Sequence, residues 1–232
     1  MDKPKKAKTP NNPGSAKPER AAIVTQTVAK SKTREYAESL IIAALIALFV
    51  RSFVVQAFKI PSSSMEPTLL IGDHLLVNRL SYVVKVPFTD TVLLHLGKPD
   101  RGDVVVFRYP EDRTKDFIKR VIAKEGDVVE IKDKVVYVNG KRADYPQTVF
   151  AEPTMIPGFI ARRDNIPPLT VPKDSYFVMG DNRDRSLDSR FWGFVSYDDF
   201  VGRALIIYFS WDSTSPDLLH YIRWTRIGRL IR

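Results

Sequence analysis

The hydrophobic and polar positions of this chain fall into three regimes. Residues 1–20 show no apolar periodicity and are dominated by Lys, Pro, Asn, Gly and Ser, a composition that predicts a disordered tail. From Leu40 to Val50 eleven apolar residues follow one another without a break. Tyr36, Ala37 and Ser39 extend the stretch backward, and Phe53, Val54, Val55, Ala57 and Phe58 extend it forward past Arg51 and Ser52. A spanning helix needs ~20 residues. Residues 36–58 supply 23, so the segment is expected to cross a membrane once. Arg51, near its far end, can snorkel toward the headgroups. A cleaved signal peptide and a buried core helix are the competing readings. The long tail ahead of the run, and the lack of a clean small-x-small site after Val50, weigh against the first.

From residue 59 onward the pattern changes. Val, Ile, Phe and Tyr recur in short runs, and no long stretch keeps a 3.6-residue period. Strands are predicted over Asp103–Tyr109, Asp116–Ala123, Ser175–Met179 and Ala204–Phe209. Val128–Lys132 and Val135–Val138 should form a hairpin, with Asn139-Gly140 as a strong turn signal after it. Six prolines between Pro146 and Pro172 make 144–172 an extended excursion. The whole of 59–232 reads as one mainly antiparallel β domain.

Charge sharpens this division. The chain has 232 residues, 36 basic against 27 acidic, with a net charge of +9. Residues 1–35 hold nine of the basic and three of the acidic side chains, so two thirds of the excess sits in the tail. By the positive-inside rule that tail stays in the cytoplasm and everything after residue 58 lies outside. The nucleic-acid partner that +9 first suggests is correspondingly weakened. There is no cysteine, which excludes disulfides, Cys-ligated metal clusters and a Cys nucleophile.

Candidate chemistry begins just past the apolar run, at Pro61-Ser62-Ser63-Ser64-Met65-Glu66-Pro67. Three serines between prolines suit either a stiff linker or a nucleophile, and a hydroxyl needs a base within hydrogen-bond reach. His74, His95 and His220 are the only histidines, and each sits where a surface or packing role is the simpler reading. No spacing suits a zinc site. Lys119 differs from most of the basic residues, because it lies inside the apolar strand Asp116–Ala123. Alternation puts Phe117, Lys119 and Val121 on one face and Ile118, Arg120 and Ile122 on the other. A desolvated lysine there would be a neutral base; a solvent-facing pleat is the plain alternative. Gly180 to Gly193 is dense in Asp, Asn, Arg and Ser, which fits a hydrogen-bonded scaffold with Asp188 and Arg190 as an ion pair.

Four blocks, in order after an apolar segment, resemble bacterial type I signal peptidases. They are Pro61–Leu69 running into Gly72-Asp73, Arg101–Phe107, Asp116–Val121, and Gly180–Asp184 with Ser186, Asp188, Ser189 and Arg190. The resemblance covers about residues 51–210. It implies a mainly β catalytic domain, an antiparallel β-sheet or barrel-like fold, after one N-terminal transmembrane α-helix. The domains are then a cytoplasmic tail (1–35), the span (36–58) and an extracytoplasmic catalytic domain (59–232) with a variable insertion at about 130–172. It implies Ser64 as nucleophile, Lys119 as general base, and Ser62 with the Ser64 backbone N–H as oxyanion hole. Ser186 would orient the lysine, with Asp181, Asp188 and Arg190 in support. Phe58, Ile60, Leu69, Phe117 and Ile118 match substrate-pocket positions, and ordinary β-core packing is their alternative. No metal or cofactor is implied.

The implied activity is removal of signal peptides from exported preproteins after a small-x-small sequence, at the inner (cytoplasmic) membrane and on its outer, periplasmic side. Preproteins, the lipid bilayer and, transiently, the export machinery would be partners; nucleic acid would not. A specialised Ser–Lys protease for one pilus or transfer-system substrate is the alternative, and a non-enzymatic β-module a third reading. Phe117 replaces a commonly hydroxylated aromatic and Ser63 a frequent Gly. Residues 1–35 supply no second span, so a single span is expected. The basic, apolar C-terminal segment Tyr221–Arg232 fits either a membrane surface or a closing strand or short helix.

Overall fold

The computed structural model describes Met1 and residues 32–86, 89, 91–143, 145–158, 160–212 and 221–232. Most of the basic tail and His220 therefore lie outside the described residues. The chain divides into two compact units, Met1–Ile42 and Ala43–Arg232.

The helix α1 runs over Lys32–Phe49 and buries none of its residues. The apolar run was expected to stay helical to residue 58. Instead it passes through a π-helical turn, Val50–Val54, and enters strand β1, Val55–Lys59. Val54, Val55, Ala57 and Phe58 suit a strand as well as a helix, and hydrophobicity alone cannot place that boundary. Among the described residues no helix is long and apolar enough to cross a membrane. Lys32, Arg34, Glu35 and Glu38 fill the first turns of the 18-residue α1.

The rest of the second unit is antiparallel β structure. Its strands are β1, β2 (Asp73–Asn78), β3 (Val83–Lys85), β4 (Val92–His95), β5 (Val104–Tyr109), β6 (Asp112–Lys124), β7 (Val128–Lys132), β8 (Val135–Val138), β9 (Lys141–Arg142), β10 (Ile166–Thr170), β11 (Ser175–Met179), β12 (Val195–Ser196) and β13 (Phe200–Ser210). A seven-stranded sheet takes the order β1-β2-β13-β5-β6-β11-β12, and β3 and β4 form a separate hairpin. β1 and β12 are its edges, so among the described residues the main sheet is open and antiparallel, as the mainly β reading expects.

Burial explains the order. β5 is covered on both faces and reads as a continuous apolar run, Val104 to Phe107. Val104 and Val106 pack with Leu75, Val77, Ile207, Met65 and Leu69. Val105 and Phe107 pack with Val121, Tyr176, Val178 and Phe200. β2, buried on one face only, alternates accordingly.

The excursion is more ordered than its prolines suggest. β10 pairs with β7, completing a four-stranded sheet, β10-β7-β8-β9, with its own core around Ile122, Val129, Ile131 and Phe177. Asn139 and Gly140 both have positive φ, as a tight hairpin turn requires, and they link β8 to β9. At the C-terminus Ile231 joins the first core, and Leu230 bridges to Ile206. The segment thus closes onto β13, although Trp224 stays 68% exposed.

Candidate active site

Pro61 ends the extended entry from β1, and Ser63–Met65 forms one 3-10 turn that buries Ser64 and Met65. Met65 and Leu69 anchor this turn in the core. β6 carries Lys119 to the same place from 55 residues away. Lys119 Nζ lies 2.8 Å from Ser64 Oγ and donates to the Ile118 carbonyl at 3.0 Å. Lys119 is 4% exposed and Ser64 6%. Burial pushes the Lys119 ammonium down to about 8, while Asp188 and Asp181 oppose the shift and Arg190 adds to it. Ser62, the extended residue just ahead of that turn, holds its Oγ 3.4 Å from Ser64 Oγ.

Two buried ion pairs hold the walls. Arg120 grips Asp181 with two guanidinium contacts of 2.7 Å, and both side chains are essentially inaccessible. Thr68 Oγ1 donates to the same carboxylate at 2.5 Å, and Arg120 also donates to the Gly102 carbonyl. Arg190 grips Asp188 at 2.8 and 2.9 Å, and Asp188 accepts the Gly180 N–H at 3.0 Å. Burial alone would raise the Asp188 carboxyl, but the Arg190 charge and hydrogen bonds leave it below its ordinary value.

Ser186 Oγ is buried in this loop with no well-formed hydrogen bond. A Cβ at Gly180 would collide with both Ser186 Oγ and the Ser64 carbonyl oxygen, so glycine is what lets the loop close on the nucleophile turn. The Asn182 N–H donates to that same Ser64 carbonyl at 3.2 Å. The excursion contributes too. Lys134 and the Glu152 N–H both bind Asp184, and Arg190 donates to the Arg163 carbonyl.

Four of the five anticipated pocket residues gather in one place. Ile60 and Leu69 are buried in the first core, with Phe58 and Ile118 partly exposed against it. Phe117 lies with the second core, stacked on Tyr109 at 4.4 Å, with Lys119 Nζ 5.3 Å from its ring centroid. His74 binds the Gly72 carbonyl and His95 pairs with Asp198.

Sequence reasoning missed three contributors. Arg120 was placed only on a strand face, yet an arginine inside an apolar run needs a buried acidic partner, which was the available signal. Asp73 and Arg226 form a second clamp. Arg226 binds the Asp73 carboxylate and donates to the Thr68 carbonyl at 2.9 Å, and Ser210 donates to Asp73 at 2.6 Å. No local pattern announces a contact spanning 153 residues.

The arrangement sets a buried amine within hydrogen-bond reach of a buried hydroxyl, and the chain's relatives are peptidases by name. The family described as signal peptidase, peptidase S26 matches residues 33–211. A signal peptidase I of Pseudomonas aeruginosa is 37% identical over 223 residues, spanning 84% of this chain and 78% of the relative. That of Pseudomonas fluorescens is 36% identical with the same shares, and that of Aquifex aeolicus 36% identical over 76% of this chain and 84% of the relative. A match of this length, carrying the Ser64 turn, β6 and the 180–190 loop together, means that the chain belongs to the signal peptidase, peptidase S26 family and is a peptidase.

Proposed function

We propose that the chain is a membrane-bound serine endopeptidase that cleaves signal peptides from exported preproteins after a small-x-small sequence, with Ser64 as nucleophile and Lys119 as general base. The observation that carries this is the 2.8 Å approach of Lys119 Nζ to Ser64 Oγ, with both groups buried. A neutral Lys119 accepts the Ser64 hydroxyl proton as Oγ bonds to the scissile carbonyl carbon. Collapse of the tetrahedral species breaks the C–N bond, and Lys119 returns the proton to the leaving amine. Lys119 then deprotonates the water that attacks the ester, and Ser64 leaves with that proton.

The oxyanion faces the start of the Ser63–Met65 turn, where helical N–H groups lack internal partners, and the Ser62 hydroxyl supplies a second donor. Ser62→Ala is therefore expected to lower kcat by ~10²–10³ with little change in KM. A single-turnover measurement that left the acylation rate unchanged would remove Ser62 from this role.

We assign Ser186 the task of orienting the Lys119 lone pair, which its buried hydroxyl beside Asp188 suits. Asp181, Asp188 and Arg190 position the loop. Phe58 and Ile118 form shallow pocket walls that Ile60 and Leu69 back from the core, so Ala fits and larger side chains do not. β11 pairs with β6 only from Arg120 onward. Asp116–Lys119 thereby keeps a strand edge on that side for an extended substrate, with Phe117 on the neighbouring face.

Membrane attachment is inferred from α1, where Leu40, Ile41, Ile42, Leu45, Ile46, Leu48 and Phe49 are all exposed. The cytoplasmic tail and outward catalytic unit follow from the charge bias. The test is a panel of unrelated exported precursors incubated with the purified full chain. Several should be cut after small-x-small sites, and none by Ser64→Ala. Cleavage of a single precursor would favour the specialised protease, and cleavage by Ser64→Ala would refute the nucleophile.

A further inference from the structure

At the Asp116 end of β6 lies a cavity of about 690 Å³ with a lopsided charge. Arg51, Arg79, Lys85, Arg108 and Arg113 line it against one carboxylate, Asp116. The cations converge from separate elements: the π-helical turn, the turn after β2, and strands β3, β5 and β6. Arg113 also pairs with Asp199. Burial depresses the Arg79 and Lys85 cations, and the field of Arg108 depresses them further, with Asp116 opposing at Arg79 and Asp199 at Lys85. Like charges brought together in this way call for a bound anion.

Two features narrow its chemistry. Guanidinium forks suit the paired oxygens of a phosphate better than a point charge would. Leu48 lines the same cavity, and it belongs to the exposed apolar face of Leu45, Ile46, Leu48 and Phe49 that ends just before Arg51. An occupant with a phosphodiester head and an apolar body matches both.

We propose that this cavity binds the headgroup of an anionic phospholipid. The inference rests on the membrane-bound reading given above. Headgroup capture would hold the Arg108–Asp116 end of the β5–β6 hairpin at the bilayer surface, three residues along the strand from Lys119. It would thereby set the height of the catalytic cleft over the membrane.

The full chain in neutral detergent is titrated with dihexanoyl-phosphatidylglycerol below its micelle-forming concentration, with dihexanoyl-phosphatidylcholine and inorganic phosphate as parallel arms. The anionic lipid should bind saturably, and the other two at least about tenfold more weakly. Arg79→Gln/Lys85→Gln should lose about tenfold or more in that affinity while thermal unfolding and precursor cleavage in neutral detergent stay as in the parent. Equal binding of inorganic phosphate would make this a free-anion site and overturn the lipid assignment. So would equal binding of the choline lipid, absence of saturation, or full affinity in the double variant. The comparison of the three ligands on the parent chain decides the matter even if the variant fails to fold. Flotation of the parent with pure phosphatidylcholine vesicles tests the anchor by itself, since it needs no anionic headgroup.

Discussion

Lys119→Met is expected to abolish precursor cleavage, by at least ~10⁴-fold in kcat, and at the same time to raise the melting temperature at neutral pH. The two effects share one cause. In the folded chain burial holds the Lys119 pKa at about 8, against an ordinary value of 10.5. The unfolded chain therefore binds the proton more tightly, and folding at neutral pH carries a penalty on the order of 3 kcal/mol. The sign follows directly. A lysine depressed in the folded state costs its full penalty below about pH 8, and the cost fades as pH rises toward the unfolded value. Methionine matches the length of the stem without the ammonium, and the hydrogen bond lost by Ser64 Oγ offsets only about 1 kcal/mol. A rise of several degrees is expected at pH 7, at roughly 2–4 °C per kcal/mol, shrinking as the pH is raised. Thermal melts of parent and variant across that range check it. An inactive variant with unchanged or lowered stability at pH 7 would mean that the amine is not held at a cost, and the base assignment would lose its physical ground.

Arg120→Leu should have the largest structural effect. Its guanidinium supplies two of the contacts to Asp181, whose side chain is 0% exposed. Removing it leaves a buried carboxylate with Thr68 as its remaining side-chain partner among the described residues. Breaking one side of such a pair costs about 3–5 kcal/mol, against about a tenth of that for an exposed pair such as Lys98–Glu125. The check is denaturant unfolding of Arg120→Leu beside Arg120→Leu/Asp181→Leu. The double variant should recover much of the loss, because no charge is then stranded. If the double variant were as unstable as the single, packing of the arginine stem and not the stranded carboxylate would be the cause.

These two residues also show what the sequence could disclose. Lys119 and Arg120 are neighbours in one apolar strand, and alternation correctly separates them to opposite faces. It does not reveal that β6 is covered on both sides here, so the partner of Arg120 stayed hidden while Lys119 stood out. Phe58 and Val55 illustrate a different limit. Their apolar character extends the helix run past Arg51 and Ser52, and only pairing with β2 makes them strand. The contact of Arg226 with Asp73 depends on the last turn of the chain folding back on β13. Residue types recorded an arginine and an aspartate, but not that they meet. Asp188 and Arg190 were legible because they are two residues apart in a loop whose charges have few other ways to be satisfied.

If a buried, neutral Lys119 activates Ser64, the pH dependence of kcat/KM for one precursor must follow the loss of its proton. The value should rise about tenfold per pH unit on the acid side and level off near pH 8, where Lys119 loses its proton. A profile that is flat across this range, or one that levels off near pH ~6.5 as a histidine base would require, would contradict it.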